Sequence, residues 1–374
     1  MRTTTRTVLA TLVLALAATG VAACGDDDDA AKGGASTEAQ GSSGGGKTVA
    51  LLLPETKTTR YEQHDRPRFE AKLRELCPDC KLEYANAAQD ASRQQTQVEA
   101  AITKGADVLV LDAVDAESAV ASVKRAKQAG IPVIAYDRLI TGTPIDGYVS
   151  FNNVKVGELQ AQTLVDKLGD AGKGKSVVMI NGSPTDPSAG DYKKGAHSVL
   201  DGSGLKIAKE YDTPDWSPDK AQRQMEQAIT ALGKGGIAGV YSANDGMAGG
   251  AIAAMKGAGI DPKGVPVTGQ DSEVAAIQRL LVGEQYMTIY LAIKKQAESA
   301  AQLALDLANG RKPPASLVNG RTDNKAGQVP SVLLDPIAVT KDNIKDTVVK
   351  DEFLSASDIC TGRYATACEE AGIS

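Results

Sequence analysis

The chain has 374 residues, of which 42 % are hydrophobic, and a formal net charge of −6. This length allows two or three domains with full cores, and an acidic chain without a Lys/Arg-rich run argues against nucleic-acid binding. Only two histidines occur, His64 and His197, far apart and without a neighbouring cysteine. They disfavour a metal site and a Ser-His-Asp triad, so we expect no metal, no cofactor and no catalytic residues.

The first residues have the layout of a secretory signal. Two arginines precede an apolar run, residues 8–18, which is too short to span a bilayer and ends in small residues. The segment Val21-Ala22-Ala23-Cys24 resembles a bacterial lipoprotein box, in which the cysteine is lipidated. An ordinary cleavage site with an incidental cysteine is the alternative. We expect a signal peptide over residues 1–23 and an exported protein whose lipid on Cys24 anchors it to the outer face of the bacterial cytoplasmic membrane.

Residues 24–46 contain the acidic run Asp26–Asp29 and a Gly/Ser-rich stretch without a large hydrophobe. Such a composition cannot pack a core, so it predicts a flexible tether in which the aspartates are a solvated spacer rather than a metal site. The folded body then begins near Lys47.

Four further cysteines fit an exported protein, because an even number outside the cytosol favours disulfides. We expect the local pairs Cys77–Cys80 and Cys360–Cys368. A redox-active Cys-x-x-Cys pair is the alternative for the first. That motif opens a helix after a strand, whereas Cys77 follows a helical pattern of apolar residues.

Short apolar runs alternate with amphipathic stretches through most of the body, which predicts an α/β fold with parallel sheets. The expected strands are 48–54, 106–112, 132–136, 176–181, 237–242 and 265–269. The expected helices are about 91–103, 116–129, 154–168, 218–232, 246–257 and 293–309.

The alternation falls into two halves. Four strand–helix units fit into residues 48–150, and a comparable series follows Phe151. Two doubly wound lobes are therefore expected, with ligands bound at the carboxyl ends of their strands.

The predicted strand ends carry Asp, Asn or Arg, and each half supplies an aromatic ring. Planar carboxylate, amide and guanidinium groups can each reach two neighbouring hydroxyls, and an aromatic face covers the C–H face of a pyranose. Each residue alone could be a cap or turn residue, but together they predict a sugar site. The residues are Arg60, Tyr61, Asp137, Arg138, Asp186, Trp216, Asn244 and Asp271.

The stretches AYDRLI, NGSPTD, SANDGMAGGAI and GQDSEVAAI resemble the D-xylose-binding proteins of bacterial ATP-driven sugar importers, a ribose/galactose-type group of periplasmic binding proteins. The resemblance covers about residues 48–353. It implies the type 1 fold, with two lobes joined by a three-strand hinge near 150–153, 288–292 and 317–321. The implied first lobe is 47–150 plus about 291–318, the second is 151–290 plus about 319–358, and 359–374 is a C-terminal tail.

The resemblance also places the family's sugar contacts on the strand-end residues above, with Tyr61 as the ring beside Arg60 and Trp216 as the stacking platform. Asp186 matches an acidic position next to those contacts. Two departures leave the sugar open between D-xylose and another aldose such as glucose, galactose or arabinose. Pro187-Ser188 stand where the family has two asparagines, and Leu291 replaces a sugar-binding lysine, which leaves open whether Lys294 or Lys295 substitutes.

The implied function is a monomeric, lipid-anchored sugar receptor that delivers a monosaccharide to a membrane permease with a separate ATPase. A sensor lipoprotein of the same fold is an alternative. A sugar-modifying enzyme using Asp137 and Asp271 as acid and base is disfavoured, because neighbouring arginines would keep both ionised. Residues 169–176 match the phosphate-loop pattern G-x-x-x-x-G-K-S, but they end a predicted helix and enter a strand, the reverse of the order that phosphate binding needs.

Overall fold

Parallel β-sheets flanked by helices make up most of residues 46–373, which the computed structural model describes. The expected signal peptide, the lipid site at Cys24 and nearly all of the tether lie outside these residues. Within the described part of the chain, no helix is both long and apolar enough to cross a membrane.

In chain order the elements are β1 (Thr48–Leu53), α1 (Arg66–Leu76), β2 (Lys81–Asn86), α2 (Ala91–Thr103), β3 (Val108–Leu111), α3 (Ala119–Gln128), β4 (Val133–Tyr136), β5 (Gly147–Phe151), α4 (Asn153–Leu168), β6 (Ser176–Asn181), α5 (Pro187–Leu200), β7 (Lys206–Asp212), α6 (Pro218–Leu232), β8 (Gly239–Ser242), α7 (Asp245–Gly257), α8 (Val274–Leu281), β9 (Met287–Tyr290), α9 (Ile293–Ala308), β10 (Gly320–Asp323), β11 (Gln328–Leu334), β12 (Ile337–Thr340), α10 (Ala356–Ile359) and α11 (Ala365–Glu370).

The first lobe is built on a seven-stranded sheet in the order β10-β11-β5-β4-β3-β1-β2. All neighbouring strands are parallel except β10 and β11. The central strands β1, β3 and β4 are short apolar runs buried on both faces, because helices cover both sides of the sheet. One apolar cluster lies on each side of this sheet.

The second lobe has the parallel order β7-β6-β8, and β9 pairs with β12 in antiparallel register. The expected strand 265–269 is reduced to a single parallel bridge at Val267 beside β8. The N–H groups of Tyr286 and Ile289 donate to the carbonyls of Val267 and Gly269, both at 3.0 Å. These bonds attach β9 to the same sheet, so the strand ends of this lobe share one edge.

The chain passes between the lobes three times, after β5, after β9 and after β11. The sequence placed the third passage near 317–321 and residues 319–358 in the second lobe. This expectation is wrong for the first part of residues 319–358. Residues 320–334 form β10 and β11, and β11 pairs with β5 in the first sheet. Val329 and Val332 are buried in the first lobe's core. Their burial holds the segment there and moves the passage to the residues just after β11.

The C-terminal residues are also part of a lobe rather than a tail. Ile359 and Cys368 are buried in the apolar cluster of the second lobe. Gln278 of α8 donates from Nε2 to the carbonyl of Ile359 over 3.0 Å. The expectation of a separate tail over 359–374 is therefore wrong, because its apolar residues complete the second core.

Both local disulfides are formed. Cys77–Cys80 closes the turn that follows α1, and Cys360–Cys368 closes the C-terminal segment. The phosphate-loop look-alike, Gly169–Ser176, begins where α4 ends and runs into β6. It contains a three-residue 3₁₀ turn at Asp170–Gly172 but opens no α-helix, as the sequence predicted.

Helices α4 and α5 pack closely enough that glycine is required at their contact. A Cβ built on Gly195 of α5 would lie 2.0 Å from the carbonyl oxygen of Val154. We expect Gly195→Ala to lower the free energy of unfolding by about 1–3 kcal/mol, since overpacking forces the helices apart. Urea denaturation measures this change.

The matched control is Gly190→Ala in the same helix, where nothing lies within 4 Å of the added Cβ. Alanine favours a helix over glycine by up to about 1 kcal/mol, so this variant should be neutral or more stable than wild type. An unchanged stability of Gly195→Ala would contradict the close helix contact.

Candidate functional site

A cavity lies between the lobes, at the carboxyl ends of their strands. The structure brings all eight predicted residues to its wall and adds Thr58, Tyr192 and Gln270, which sequence reasoning missed. The lining residues are Thr58, Arg60, Tyr61, Asp137, Arg138, Asp186, Tyr192, Trp216, Asn244, Gln270 and Asp271. No group of three His, Cys, Asp or Glu side chains within residues 46–373 has the arrangement of a metal site.

Several lining residues also act as helix caps. A strand-end residue can therefore cap a helix and line the cavity at the same time. Asp186 accepts from the N–H of Ser188 at 2.9 Å and caps α5. Asn244 accepts from the N–H of Met247 at 3.0 Å and caps α7. The Asn244 cap uses the carbonyl oxygen, which leaves its NH₂ group available to a ligand.

Three lining residues have left-handed backbone conformations, with φ of 60° at Asp137, 52° at Trp216 and 95° at Asp271. Such a conformation costs a non-glycine residue about 1–2 kcal/mol. All three residues line the cavity, so this cost falls at the candidate site.

Arg60 is buried and held from behind by Asp65. Its Nε and Nη2 donate to the two carboxylate oxygens of Asp65 at 3.0 and 2.8 Å. The hydroxyl of Tyr136 also donates to Asp65. Asp65 precedes α1 at its N-cap position, but its side chain makes no capping bond, because it is occupied by the guanidinium. Nη1 of Arg60 is left facing Asp137 at 3.2 Å.

Gln296 of α9 fixes the orientation of both Arg60 and Asp137. Its Oε1 accepts from Arg60 Nη2 at 2.6 Å, and its Nε2 donates to Asp137 Oδ1 at 2.9 Å. Gln296 is fully buried and lies behind the cavity wall. It lies within a helical pattern, so no strand-end signal in the sequence could have identified it.

Arg138 is the second buried cation and connects the lobes. Its Nε lies 3.1 Å from Asp186 Oδ2 and 3.5 Å from Asp112 Oδ1, and its Nη2 donates to the Tyr61 hydroxyl at 3.3 Å. Burial raises the pKa of the Asp112 carboxyl well above its usual range, against the opposing charge of Arg138. Since Asp186 belongs to the second lobe, this ion pair crosses the cleft.

Trp216 is anchored at both ends of its indole. Its Nε1 donates to Asp186 Oδ2 at 3.2 Å. A Cβ built on Gly182 would lie 2.1 Å from the ring, so only glycine allows this close packing. The ring is therefore held rigidly at the cavity, as a stacking platform requires.

Asp271 is the lining carboxylate with the fewest partners. Its Oδ1 accepts one long bond from Gln270 Nε2, at 3.4 Å. Burial raises its pKa to about 7, although the charge of Arg60 acts in the opposite direction. Its oxygens are therefore available to accept from ligand hydroxyl groups.

The two departures from the family pattern lie outside the cavity wall. Leu291 is fully buried in the second lobe's apolar cluster. Lys294 and Lys295 are exposed and line a separate surface depression with Glu298. Among the described residues, the cations that line the cavity are thus the two arginines.

Together these groups place donors, acceptors and an aromatic face around one cavity. Such a mixture of donors and acceptors suits a ligand with several hydroxyl groups, each of which donates and accepts. The carboxylates Asp137 and Asp186 are each paired with an arginine. Burial raises the pKa of the Asp186 carboxyl above its usual value, against the opposing charge of Arg138.

Comparison with known proteins agrees with this picture. Residues 49–312 match the model of the periplasmic binding protein domain. The chain is 38 % identical to the D-xylose-binding periplasmic protein of Escherichia coli, over 83 % of this chain and 92 % of that protein. It is 34 % identical to the multiple sugar-binding periplasmic receptor of Rhizobium radiobacter, again over 83 % and 92 %. These relatives are binding proteins and not enzymes.

Among solved structures, an ABC transporter solute binding protein from Clostridium phytofermentans with bound β-D-glucose superimposes with a TM-score of 0.77. It is 27 % identical, and the match covers 84 % of this chain and all of that one. The chain therefore belongs to the periplasmic binding protein family and has the type 1 fold that its sequence motifs implied.

Proposed function

We propose that this protein is the lipid-anchored substrate-binding subunit of an ABC-type sugar importer and that it binds a monosaccharide between its lobes. The observation that carries the proposal is the convergence of eight strand-end residues from both lobes on one cavity. D-xylose is the proposed sugar, because the Escherichia coli relative is a D-xylose-binding protein. The solved relative with bound glucose makes another aldose the alternative.

The proposed mechanism is closure of the lobes around the sugar. Contacts across the cleft define the closed form. Thr59 donates from N and Oγ1 to Glu273 Oε1, both at 3.3 Å, and Ala116 donates from N to the carbonyl of Thr185 at 3.2 Å. A sugar that bridges both walls favours this form by its differential affinity, and a permease that recognises the closed form then receives loaded protein.

The proposed location follows from the N-terminal sequence. A signal peptide over 1–23 and a lipid on Cys24 would leave the monomeric binding protein outside the membrane on its tether. The diacylglyceryl group of a lipoprotein supplies the two acyl chains that stable anchoring needs.

The first test is calorimetry and thermal shift of the purified protein with D-xylose, D-glucose, D-galactose and L-arabinose. We expect D-xylose to bind and to raise the melting temperature, since a ligand selective for the native state stabilises it by mass action. Trp216→Ala should weaken that binding by about 1–3 kcal/mol, because the apolar sugar face loses its platform.

Tyr286→Ala is the matched control, because this aromatic residue of the second lobe packs against Lys167 and does not line the cavity. It should bind sugar like wild type. Wild-type affinity in Trp216→Ala would contradict the stacking role. If wild type bound none of the four sugars, the proposed function would be contradicted.

The pKa of Asp271 predicts a pH dependence of binding. Sugar hydroxyls donate to the ionised carboxylate, so binding favours the deprotonated form. As the pH falls through about 7, Asp271 takes up a proton and affinity should fall, by up to about tenfold per pH unit. Calorimetry from pH 5.5 to 8.5, in buffers of different ionisation enthalpy, measures both the affinity and the proton released.

Asp271→Asn keeps the shape of the side chain and removes its titration. The variant should therefore bind the sugar more weakly than wild type at pH 8, and its affinity should change less with pH. Asp219→Asn, at an exposed position in α6, is the control and should retain the wild-type profile. An equal slope in wild type and Asp271→Asn would assign the titration to another carboxylate.

A further inference from the structure

Two uncharged polar side chains of the second lobe lie on the cavity wall and were not among the eight predicted residues. Tyr192 comes from α5, and Gln270 lies beside Asp271 in the turn before α8. Each is 5 % exposed. Both side chains are therefore shielded from bulk water, and their hydrogen-bonding groups need partners inside the cavity.

Gln270 has an acceptor to spare. Its Nε2 lies 3.4 Å from Asp271 Oδ1 and 3.5 Å from the Tyr192 hydroxyl, while its Oε1 is buried without a hydrogen-bond partner within residues 46–373. In this orientation the amide NH₂ group donates toward Asp271, whereas turning the amide over would place its oxygen against that carboxylate in its ionised form. A buried acceptor without a partner costs about 1–3 kcal/mol, which a ligand donor would recover.

Tyr192 has a donor to spare. Its oxygen accepts the long contact from Gln270, and its O–H donates to no group in the described part of the chain. The edge-to-face contact with Trp216, with ring centroids 6.3 Å apart, fixes the position of the ring. Burial also raises the pKa of Tyr192 well above its usual value, so the hydroxyl remains protonated at neutral pH.

We propose that Tyr192 and Gln270 form a subsite that selects the sugar by pairing with one of its hydroxyl groups; this rests on the proposed sugar-binding function. Tyr192 donates to the sugar oxygen, and that hydroxyl donates to Gln270 Oε1. A hydroxyl is the sugar substituent that can do both at one atom. A hydrogen at that carbon leaves both protein groups buried and unpaired, and sites built to bond a hydroxyl reject the analogue that lacks it.

The charges around the subsite favour a neutral partner. Asp271 is adjacent to Gln270, and Asp186 accepts from the N–H of the Trp216 indole that Tyr192 contacts. An anionic substituent would be repelled by these carboxylates, and a methyl group would satisfy neither spare group. The pair therefore distinguishes aldoses that differ in a hydroxyl at the carbon bound here.

The test combines a variant with a series of ligands. Tyr192→Phe removes only the hydroxyl oxygen, and calorimetry compares it with wild type for the sugar that binds best in the panel and for each of its monodeoxy analogues. We expect Tyr192→Phe to weaken the parent sugar at least tenfold. One monodeoxy analogue should bind both proteins equally, because its missing hydroxyl is the one that Tyr192 pairs with. Gln270→Met should also bind the parent sugar more weakly than wild type, and it should bind the same monodeoxy analogue as tightly as wild type does.

Tyr241→Phe is the matched control, because the Tyr241 hydroxyl is also buried without a partner within residues 46–373 but does not line the cavity. It should bind every ligand like wild type. The proposed subsite is overturned if Tyr192→Phe binds the parent sugar like wild type, or if its affinity falls by the same factor for every analogue. If wild type binds no sugar, the proposed function itself fails, and the two failures are thus distinguishable.

Discussion

The two buried guanidinium groups, Arg60 and Arg138, impose the constraint on which the rest of the site depends. They are 3 % and 2 % exposed, and a charge at such depth is tolerated only when opposite charges and hydrogen bonds replace its water. Asp65 meets this need for Arg60, and Asp186, the carbonyl of Ala113 and the Tyr61 hydroxyl face the guanidinium of Arg138. These contacts hold both guanidinium groups at the cavity wall, where they act as fixed donors.

This charge arrangement also connects the lobes. Arg138 belongs to the first lobe and Asp186 to the second, and they are 3.1 Å apart. In an open cleft both groups would be hydrated, where an ion pair contributes only about 0–1 kcal/mol. The pair alone therefore favours closure weakly, because dehydrating the two ions offsets much of their attraction. A ligand that supplies further hydrogen bonds to both walls can shift this balance, as the proposed mechanism requires.

The sequence predicted those parts of the fold whose local pattern matches their environment. Strands β1, β3, β4 and β6 are apolar runs, and the strand-end rule located eight cavity residues. The edge strands β2 and β7 were missed, because half-buried segments such as Lys81–Asn86 mix polar and apolar residues. Asp65, Tyr192 and Gln296 were missed as members of the site for a related reason. They lie in helical segments, and only tertiary packing directs Tyr192 to the cavity and Asp65 and Gln296 to the guanidinium of Arg60.

Charged and neutral groups contribute differently to recognition in such a cavity. Hydrogen bonds from ionised groups are the stronger ones and serve any polyol that reaches them, so they supply affinity with little discrimination. A neutral donor beside a neutral acceptor forms weaker hydrogen bonds with the correct ligand. With a wrong ligand both groups remain buried and unpaired, and the resulting difference in binding free energy between the two ligands gives selectivity. Leu291 lies in the core and supplies no cation to the cavity, so the proposed subsite assigns the choice among sugars to neutral groups of the second lobe. Tyr192 and Gln270 have hydrogen-bonding capacity left over, as does the NH₂ group of Asn244.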